Sequence, residues 1–231
     1  MGSTIKKISK AKTSLNALNA KMKNFSKYIG DFNVAYKSMM QGDGTDAFWQ
    51  GQKAMEWYEY CRTSVLDALI NHYEHSYTVM KSYGKSVEIA EKKDKGGFTA
   101  KQMKLISDGL NGSSFMTGLP LNREDLRVSA LPATVKVDST ADARNEQAKN
   151  CYVDIKASLA NIVTCFEDMK LIWTDLKSNS TGDLATRANK RINALEKRKK
   201  KVNDCLAFLD KWYIADLLFS VPSSPSVDDS E

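Results

Sequence analysis

Apolar side chains recur at alternating spacings of three and four residues through the first forty residues. The positions, without interruption, are Ile8, Ala11, Leu15, Leu18, Met22, Phe25, Ile29, Phe32, Tyr36 and Met39. This heptad pattern is typical of a helix that packs along a partner, because it places every apolar residue on one face. Such a helix, about 55 Å long, is not stable alone in water, so the pattern requires a second helix beside it.

Three further segments repeat the pattern and supply the partners. The second segment contains Ala54, Trp57, Cys61, Val65, Ala68, His72, Val79 and Tyr83. The third contains Ala148, Tyr152, Ile155, Leu159, Ile162, Phe166, Met169, Trp173 and Leu176. The fourth, interrupted by Lys199, contains Ala185, Ala188, Ile192, Leu195, Val202, Leu206, Leu209 and Tyr213. Turn-forming residues 42–44 and 178–182 separate the members of each pair, which indicates two helical hairpins.

The sequence therefore predicts an all-α fold, an elongated four-helix bundle made of two long antiparallel hairpins. The hairpins span residues 1–95 and 143–219 and pack as one domain. A partly irregular strap over residues 96–142 joins them and contains one short helix, near 99–109. Residues 220–231 are polar, contain two prolines and are predicted to be a disordered tail. The first helix is expected to start at Ser3 or Thr4.

Composition excludes several functional classes. The 34 basic and 28 acidic side chains give a net charge of +6, spread evenly over the two hairpins. A nucleic-acid-binding protein usually has a dense basic stripe instead, so we expect no nucleic-acid partner. No window approaches the roughly 20 apolar residues that cross a bilayer, and no conventional signal peptide precedes the first helix.

Catalysis and metal binding have little support in the sequence. The four cysteines, Cys61, Cys151, Cys165 and Cys205, are widely spaced and are predicted to be buried small hydrophobes. The pair His72 and His75 lacks a further ligand on its face of the helix. No phosphate-binding loop or nucleophile motif is present. We therefore expect neither an enzyme, a cofactor nor a metal site.

A tryptophan and a glycine stand at the joint of the first hairpin, as Trp49-Gln50-Gly51. Glycine lets the backbone enter the second helix beside a large ring, and the ring covers the end of the hairpin. The segment resembles the turn of the Trp-x-Gly family of small proteins handled by type VII (ESX-type) secretion systems. Members of that family are helical hairpins that dimerise into four-helix bundles. The resemblance covers residues 4–94 by motif and residues 143–219 by architecture alone.

The resemblance also implies a recognition signal and a route. The family's secretion signal is Tyr-x-x-x-Asp/Glu near a helix end, paired in space with Trp-x-Gly. This chain departs from it with Trp212 and Asp216 at that spacing. The residues implied in recognition are therefore Trp49, Gly51, Trp212 and Asp216. The chain is expected to be made in the cytoplasm and exported by a type VII system to the cell surface or medium.

The expected partner is another protein, either the secretion machinery or a cognate hairpin or toxin. The chain would be the cargo or its escort, and both roles stay open. A second hairpin within the same polypeptide replaces the separate partner of the family, which favours a monomeric tandem bundle.

The densest basic run supports an alternative. Lys197, Arg198, Lys200 and Lys201 lie within one and a half helical turns and could contact an anionic partner, although a solvated surface is the simpler interpretation. Long helices with basic faces also build BAR-like proteins that bind anionic lipid. Membrane contact is not favoured, because the charge is not concentrated in one half of the chain and the strap interrupts the helices.

Overall fold

The computed structural model describes residues 2–40, 60–109, 113–120, 123–127 and 141–217. Within these ranges it gives the helical backbone alone for residues 38–40, 141–149 and 212–217. The described residues form an all-α fold, as the heptad pattern predicts, with only three very short strands.

The elements follow one another in an order close to the predicted one. They are β1 (Ser3–Ile5), α1 (Ile8–Met40), a π-helical segment (Tyr60–Asp67) that continues into α2 (Ala68–Lys93), β2 (Gly97–Phe98), α3 (Ala100–Asp108), a 3-10 turn (Ser114–Met116), α4 (Arg123–Arg127), α5 (Ala141–Ser178), β3 (Ser180–Thr181) and α6 (Gly182–Leu217). One expectation at the first helix is wrong: residues 3–5 are a strand, because both of their edges pair with other strands.

The heptad positions of α1 and α5 form the apolar core. In α1 the buried residues are Ala11, Leu15, Leu18, Met22, Phe25, Ile29, Phe32 and Tyr36. In α5 they are Tyr152, Ile155, Leu159, Ile162, Phe166, Met169, Trp173 and Leu176. Each of these is a predicted position. Both helices thus place one continuous apolar face against their neighbours, which is the main source of stability for helices of this length.

Helix α6 faces the core with only some of the predicted residues: Ala188, Leu195, Val202 and Leu209 are buried as expected. Its buried heptad positions are Leu184, Ala188, Arg191, Leu195, Arg198, Val202, Cys205 and Leu209. The predicted core residues Ile192 and Leu206 are only half-buried. The repeat of three and four is perfect in the observed set, but two of its positions carry arginine. Arginine is rarely buried, so the sequence pattern predicted neither of these two positions to lie in the core.

The chain forms two compact units, and each long helix contributes to both. Unit 1 contains Met1–Phe25, His72–Leu119 and Thr164–Lys199, and unit 2 contains Ser26–Asn71, Pro120–Val163 and Lys200–Glu231. In unit 1 four helical segments pack together. Ion pairs link α1 to α2 through Lys12 and Glu91 (2.5 Å) and α1 to α5 through Lys21 and Asp168 (2.6 Å).

Aromatic side chains fill the interior of unit 1. The Phe25 and Phe166 rings meet edge to face with centroids 5.0 Å apart, and the fully buried His72 ring lies 5.0 Å from Phe166. Nearer the β strands, the Tyr83 hydroxyl donates a hydrogen bond to the Leu176 carbonyl (2.9 Å) and its ring meets Trp173. These contacts join α1, α2 and α5 into one core.

The strap packs on α1 and α2 in unit 1. Helix α3 starts with a capping box, in which Thr99 and Gln102 each accept a backbone N–H from the other. Farther along, the Glu88 carboxylate of α2 accepts hydrogen bonds from Ser113 and Ser114. The Asn19 amide of α1 donates to the Phe115 carbonyl (2.7 Å). Residues 113–115 of the strap are thus held on α1 and α2 by side-chain hydrogen bonds.

The three strands form one small antiparallel sheet with β1 in the centre. Its order is β2-β1-β3, with Ser3 opposite Phe98 on one edge and Thr4 opposite Thr181 on the other. The turn between α5 and α6 passes close to β1 at Gly182, where φ is +64°. A side chain is disfavoured there, since only glycine adopts this conformation at little cost.

In unit 2, the π-helical segment packs against α6 and α4. The Tyr60 ring lies 4.4 Å from the Phe208 ring, measured between centroids. The Arg123 guanidinium of α4 lies 3.7 Å from the Asp67 carboxylate and also hydrogen-bonds the Asn71 amide oxygen. Arg123 therefore ties α4 to the point where the π-helix becomes α-helix.

Candidate functional site

The residues implied in secretion belong to unit 2, but the structure describes only part of them. Trp49 and Gly51 lie outside the described residues. Trp212 and Asp216 lie on the last turns of α6, for which the backbone course is given. Since α6 is continuous over this stretch, residues four apart share one face of the helix. Trp212 and Asp216 therefore occupy one face near the end of α6.

In unit 2 the π-helical segment meets α6 shortly before Trp212 and Asp216. The ring contact between Tyr60 and Phe208 joins the π-helical segment to α6, and α6 continues beyond it to Trp212 and Asp216. The Trp-x-Gly segment is connected to the same Tyr60 through residues 52–59. Trp212 and Asp216 thus lie four and eight residues beyond Phe208 along α6.

A cluster of polar groups lies next to the ring contact. The Asp210 carboxylate accepts hydrogen bonds from the Tyr152 hydroxyl (2.6 Å) and the Lys156 ammonium (2.7 Å). Burial disfavours the charged carboxylate, but these hydrogen bonds outweigh it and lower the pKa of Asp210. Burial also raises the pKa of the Tyr60 hydroxyl, which lies beside the Cys205 thiol. At neutral pH this part of α6 thus has an ionised, hydrogen-bonded carboxylate at Asp210 and an uncharged Tyr60 beside it.

The predicted basic run does not form a single surface. Lys197 and Lys200 are exposed and Lys201 is half-buried, but only 3% of Arg198 is exposed. The half-buried Lys199, the predicted interruption of the core face, donates to the Glu167 carboxylate (2.5 Å) instead. Arg198 must therefore be removed from the set of residues that could meet an external anion, because it occupies a core position of the heptad.

Arg191 and Arg198 form a buried basic feature that sequence reasoning missed. Both are in unit 1, seven residues apart on the core face of α6, and no Asp or Glu is fully buried among the described residues. The opposing helix α2 supplies polar groups instead: the buried residues His72, Ser76, Ser82 and Ser86. Arg187 donates to the Ser82 hydroxyl (3.3 Å), which shows that α6 packs on this polar face. A guanidinium can be buried only where hydrogen-bond acceptors surround it. The spacing of four and three residues from Leu184 to Val202 includes Arg191 and Arg198, and this pattern could have predicted that both arginines are buried.

The two histidines lie in different environments. His72 is fully buried between Phe25 and Phe166, whereas His75 is exposed. No group of three or more His, Cys, Asp or Glu side chains that could hold a metal ion occurs in the part of the chain that the structure describes. The four cysteines are free thiols, and burial raises the pKa of Cys165 to about 12.

An open groove of about 560 Å³ lies between α3 and the first turns of α6. Its lining includes Met103, Lys104 and Asp108 on one side and the Asp183–Arg187 ion pair (2.7 Å) on the other. Both charge signs occur on both walls. The electrostatics of the groove therefore favour no single charged ligand.

The chain has no significant match among protein-family models, curated proteins or solved structures. Among the helices over the described ranges, none is both long enough and apolar enough to cross a membrane. Its function is therefore inferred from its own residues and packing.

Proposed function

We propose that this chain is a non-enzymatic helical interaction protein that is exported by a type VII secretion system, as a substrate or as the escort of one. The observation that carries the proposal is the i, i+4 placement of Trp212 and Asp216 near the end of α6, in a chain that also contains Trp-x-Gly at residues 49–51. The two residues follow the Tyr60–Phe208 contact along α6. An aromatic residue and a carboxylate four residues apart, together with Trp-x-Gly, make up the expected signal.

The packing in unit 1 supports a built-in partner for the first hairpin. Helices α5 and α6 lie against α1 and α2, with Phe166 on Phe25 and Trp173 on Tyr83. This arrangement buries the heptad faces of all four segments without a second chain. A protein of this kind needs no separate hairpin to be stable, which favours export as a monomer.

In the proposed mechanism, a receptor in the secretion machinery contacts the end of α6. The carboxylate of Asp216 would be bound by a basic side chain of the receptor, and Trp212 would fill an apolar pocket. The i, i+4 spacing presents both groups in the same direction. Trp49 would complete the surface from the hairpin turn.

Export from the native host tests the proposal. The chain is produced in strains with the type VII motor ATPase intact or deleted and is quantified in cytosol, envelope and medium. We expect it outside the cytosol only when the motor is intact. Trp49→Ala and Asp216→Ala should remain cytosolic with unchanged helical content by circular dichroism. Asp154→Ala, which removes an exposed carboxylate elsewhere, is the matched control and should be exported.

Each alternative result has a clear meaning. Retention of the unmodified chain in the cytosol of both strains would contradict the proposal. Export of Asp216→Ala at the unmodified level would show that the end of α6 is not the signal. Trp173→Ala changes a core residue, so its loss of export would result from unfolding. It shows how an unfolded variant behaves, for comparison with Trp49→Ala and Asp216→Ala.

Binding to anionic lipid is the second candidate, and one observation in unit 1 favours it. Lys190 and Lys197 are exposed on one face of α6, seven residues apart, and neither takes part in an ion pair within the described ranges. If the face binds membranes, vesicles with acidic lipids should retain the protein at low salt and release it at high salt. The double variant Lys190→Glu, Lys197→Glu should not bind. Absence of binding to acidic vesicles at low salt would exclude this candidate.

A further inference from the structure

The outer face of the small sheet is open to solvent. Buried Ser3 anchors β1 on the inner side, where its hydroxyl accepts a hydrogen bond from the Leu184 N–H (3.4 Å). On the outer side, exposed Thr4 lies between Gly97 of β2 and Thr181 of β3. A Cβ atom added at Gly97 would meet no atom within 4 Å. Small residues thus make up the middle of this face, so a broad surface can approach it closely.

Two lysines lie opposite each other at one end of this face. The register of β1 and β2, extended by the hydrogen bond from the Ile5 N–H to the Gly96 carbonyl (2.8 Å), brings Lys6 opposite Lys95. Both lysines are exposed. The Lys6 ammonium donates a hydrogen bond to the Ser178 carbonyl (2.8 Å), which positions its charge without neutralising it. Like charges in opposite positions of a sheet are destabilising, and an anion bound beside them removes this cost.

Further lysines surround this pair. They come from the start of α1, the end of α2 and the first turn of α3, and all are exposed: Lys7, Lys92, Lys93 and Lys101. Over the residues that the structure describes, none of these lysines takes part in an ion pair. We call these residues, together with Lys6 and Lys95, the basic end of unit 1.

Most acidic side chains near the basic end are neutralised by cations outside it. The pairs are Glu91 with Lys12, Asp175 with Lys10 and Asp183 with Arg187. Asp94 and Asp108 are exposed and have no ion pair within the described ranges. The six lysines outweigh these two carboxylates, so the basic end has a clear excess of positive charge.

An exposed leucine adjoins the basic end. Leu105 lies four residues after Lys101, on the same face of α3, and 65% of it is exposed. The residue before it, Lys104, is exposed as well. Proteins that bind at a membrane surface combine these features, because lysines meet anionic headgroups while an apolar side chain enters the boundary of the acyl chains.

The residue types of this surface suit a membrane better than a compact ligand or a nucleic acid. Its cations are lysines, which are mobile point charges, whereas arginine has the planar fork that binds single carboxylates or phosphates in two places. Phe98, the aromatic residue of the described sheet, is buried and is not available for stacking on bases. A diffuse anionic surface is therefore the best match.

We propose that the basic end of unit 1 binds the surface of a lipid bilayer that contains anionic lipids, with the lysines at the headgroup phosphates and Leu105 at the acyl boundary. The contact is peripheral and depends on both charge and the leucine. This surface is distinct from the face of α6 that contains Lys190 and Lys197. The proposal does not depend on export.

Sedimentation with vesicles tests the binding. The intact protein is mixed with vesicles of phosphatidylglycerol and phosphatidylcholine in equal parts, or with vesicles of phosphatidylcholine alone. We expect binding to the acidic vesicles only, and severalfold weaker binding at high salt, because salt screens the lysines. Absence of binding to acidic vesicles at low salt would overturn the proposal.

Two charge-reversal variants locate the binding surface. Lys95→Glu combined with Lys101→Glu changes the basic end and should weaken vesicle binding by about tenfold or more, since each lysine near an anionic membrane contributes to binding. Lys190→Glu combined with Lys197→Glu changes the net charge equally on α6 and should bind as the unmodified protein does. Circular dichroism should not change in either variant, because all four lysines are exposed. Equal weakening in both variants, or weakening in the α6 variant alone, would overturn the proposal.

A fluorophore at position 105 tests the insertion of the leucine. Leu105→Cys and Leu171→Cys are each labelled with an environment-sensitive fluorophore, with Cys151→Ser throughout because the other native cysteines are buried. Leu171 is the matched control, since it is 67% exposed but its neighbour Lys170 is paired with Glu196. Acidic vesicles should shift the emission to shorter wavelength at position 105 only.

Three results of these measurements would contradict the proposal. Equal shifts at positions 105 and 171 would mean that the leucine has no specific role, and no shift at position 105 would mean that it does not insert. Binding of polyglutamate without binding of acidic vesicles would overturn the proposal in favour of an acidic protein partner.

Discussion

Replacement of Gly182 by alanine is the sharpest test of how the sheet is assembled. The residue has a φ of +64°, and its Cβ would lie 2.0 Å from the Gly2 carbonyl oxygen. Alanine in a left-handed conformation costs about 1–2 kcal/mol. The contact can be relieved only by displacement of the backbone at Gly2 and Ser3. Displacement weakens the Leu184–Ser3 hydrogen bond and part of the strand pairing, at ~1 kcal/mol for each hydrogen bond.

These contributions add to a destabilisation of about 2–4 kcal/mol for Gly182→Ala. In a chain of this length, that corresponds to a fall in Tm of roughly 5–15 °C. The measurement is urea unfolding followed by far-ultraviolet circular dichroism, with the free energy of unfolding extrapolated to water. Hydrogen exchange at the Ile5 N–H provides a local reading, since its partner is the Gly96 carbonyl and it should lose protection.

Two other glycines provide matched controls. Gly97, in the same sheet, and Gly30, within α1, each have no atom within 4 Å of an added Cβ. Gly97→Ala should change the free energy of unfolding by less than about 0.5 kcal/mol. Gly30→Ala should stabilise the protein by about 0.5–1 kcal/mol, because alanine is the better helix former. If Gly182→Ala unfolds at the same urea concentration as Gly97→Ala, the close approach of the turn to β1 does not determine stability.

Three further substitutions test the strap, the core and the end of α6. Burial disfavours the charged form of Glu88, but hydrogen bonds from Ser114 and Ser113 outweigh this effect and lower the pKa of Glu88 below 4.5. The ionised carboxylate therefore stabilises the fold fully above pH 4.5. This stabilisation is lost as the pH falls through the lowered pKa of the folded state. Glu88→Gln should cost about 1–2 kcal/mol at pH 7 and should lose less stability than the unmodified protein between pH 7 and pH 3; equal losses would contradict this role. Trp173→Ala, at a fully buried position, should cost about 3–5 kcal/mol, and a cost below about 1 kcal/mol in urea unfolding would show that the core is assigned incorrectly. Asp210→Asn changes a partly exposed ion pair and should cost less than about 1 kcal/mol in the same assay, so a larger loss would mean that the carboxylate holds the end of α6 in place.

The heptad pattern was sufficient to predict α1 and α5. Every predicted core position from Ala11 to Tyr36 and from Tyr152 to Leu176 is buried. These helices are apolar on one face and polar elsewhere, so their periodicity predicts the buried face whichever helix packs against it. The short helix α3 was predicted within one residue for the same reason: its signals are local.

Features that depend on distant contacts were not predicted. Residues 3–5 have no pattern that distinguishes a strand from the start of α1, and their partners lie in two remote segments. Arg191 and Arg198 were excluded from the core of α6 because charge usually indicates solvent. Their burial depends on the packing of α6 beside α2, whose buried side chains include serines and His72. Such packing between helices cannot be read from either segment alone.

For the candidate recognition residues, the sequence predicted their spacing on one helix but not their tertiary position. The i, i+4 relation of Trp212 and Asp216 follows from helical continuity, which the structure describes. Their position beyond the Tyr60–Phe208 contact is a tertiary fact. It depends on Tyr60, which is buried beside the predicted core residue Cys61 but is not itself a heptad position.

The central place of β1 in the sheet has a consequence for synthesis of the protein. The strand is synthesised before both of its partners: Gly97 follows only after the first hairpin, and Thr181 only after α5 is complete. Hairpin contacts are local and can form during translation, whereas closure of the sheet must wait for β3. Until then both edges of β1 are unpaired in the nascent chain, where a chaperone could bind them.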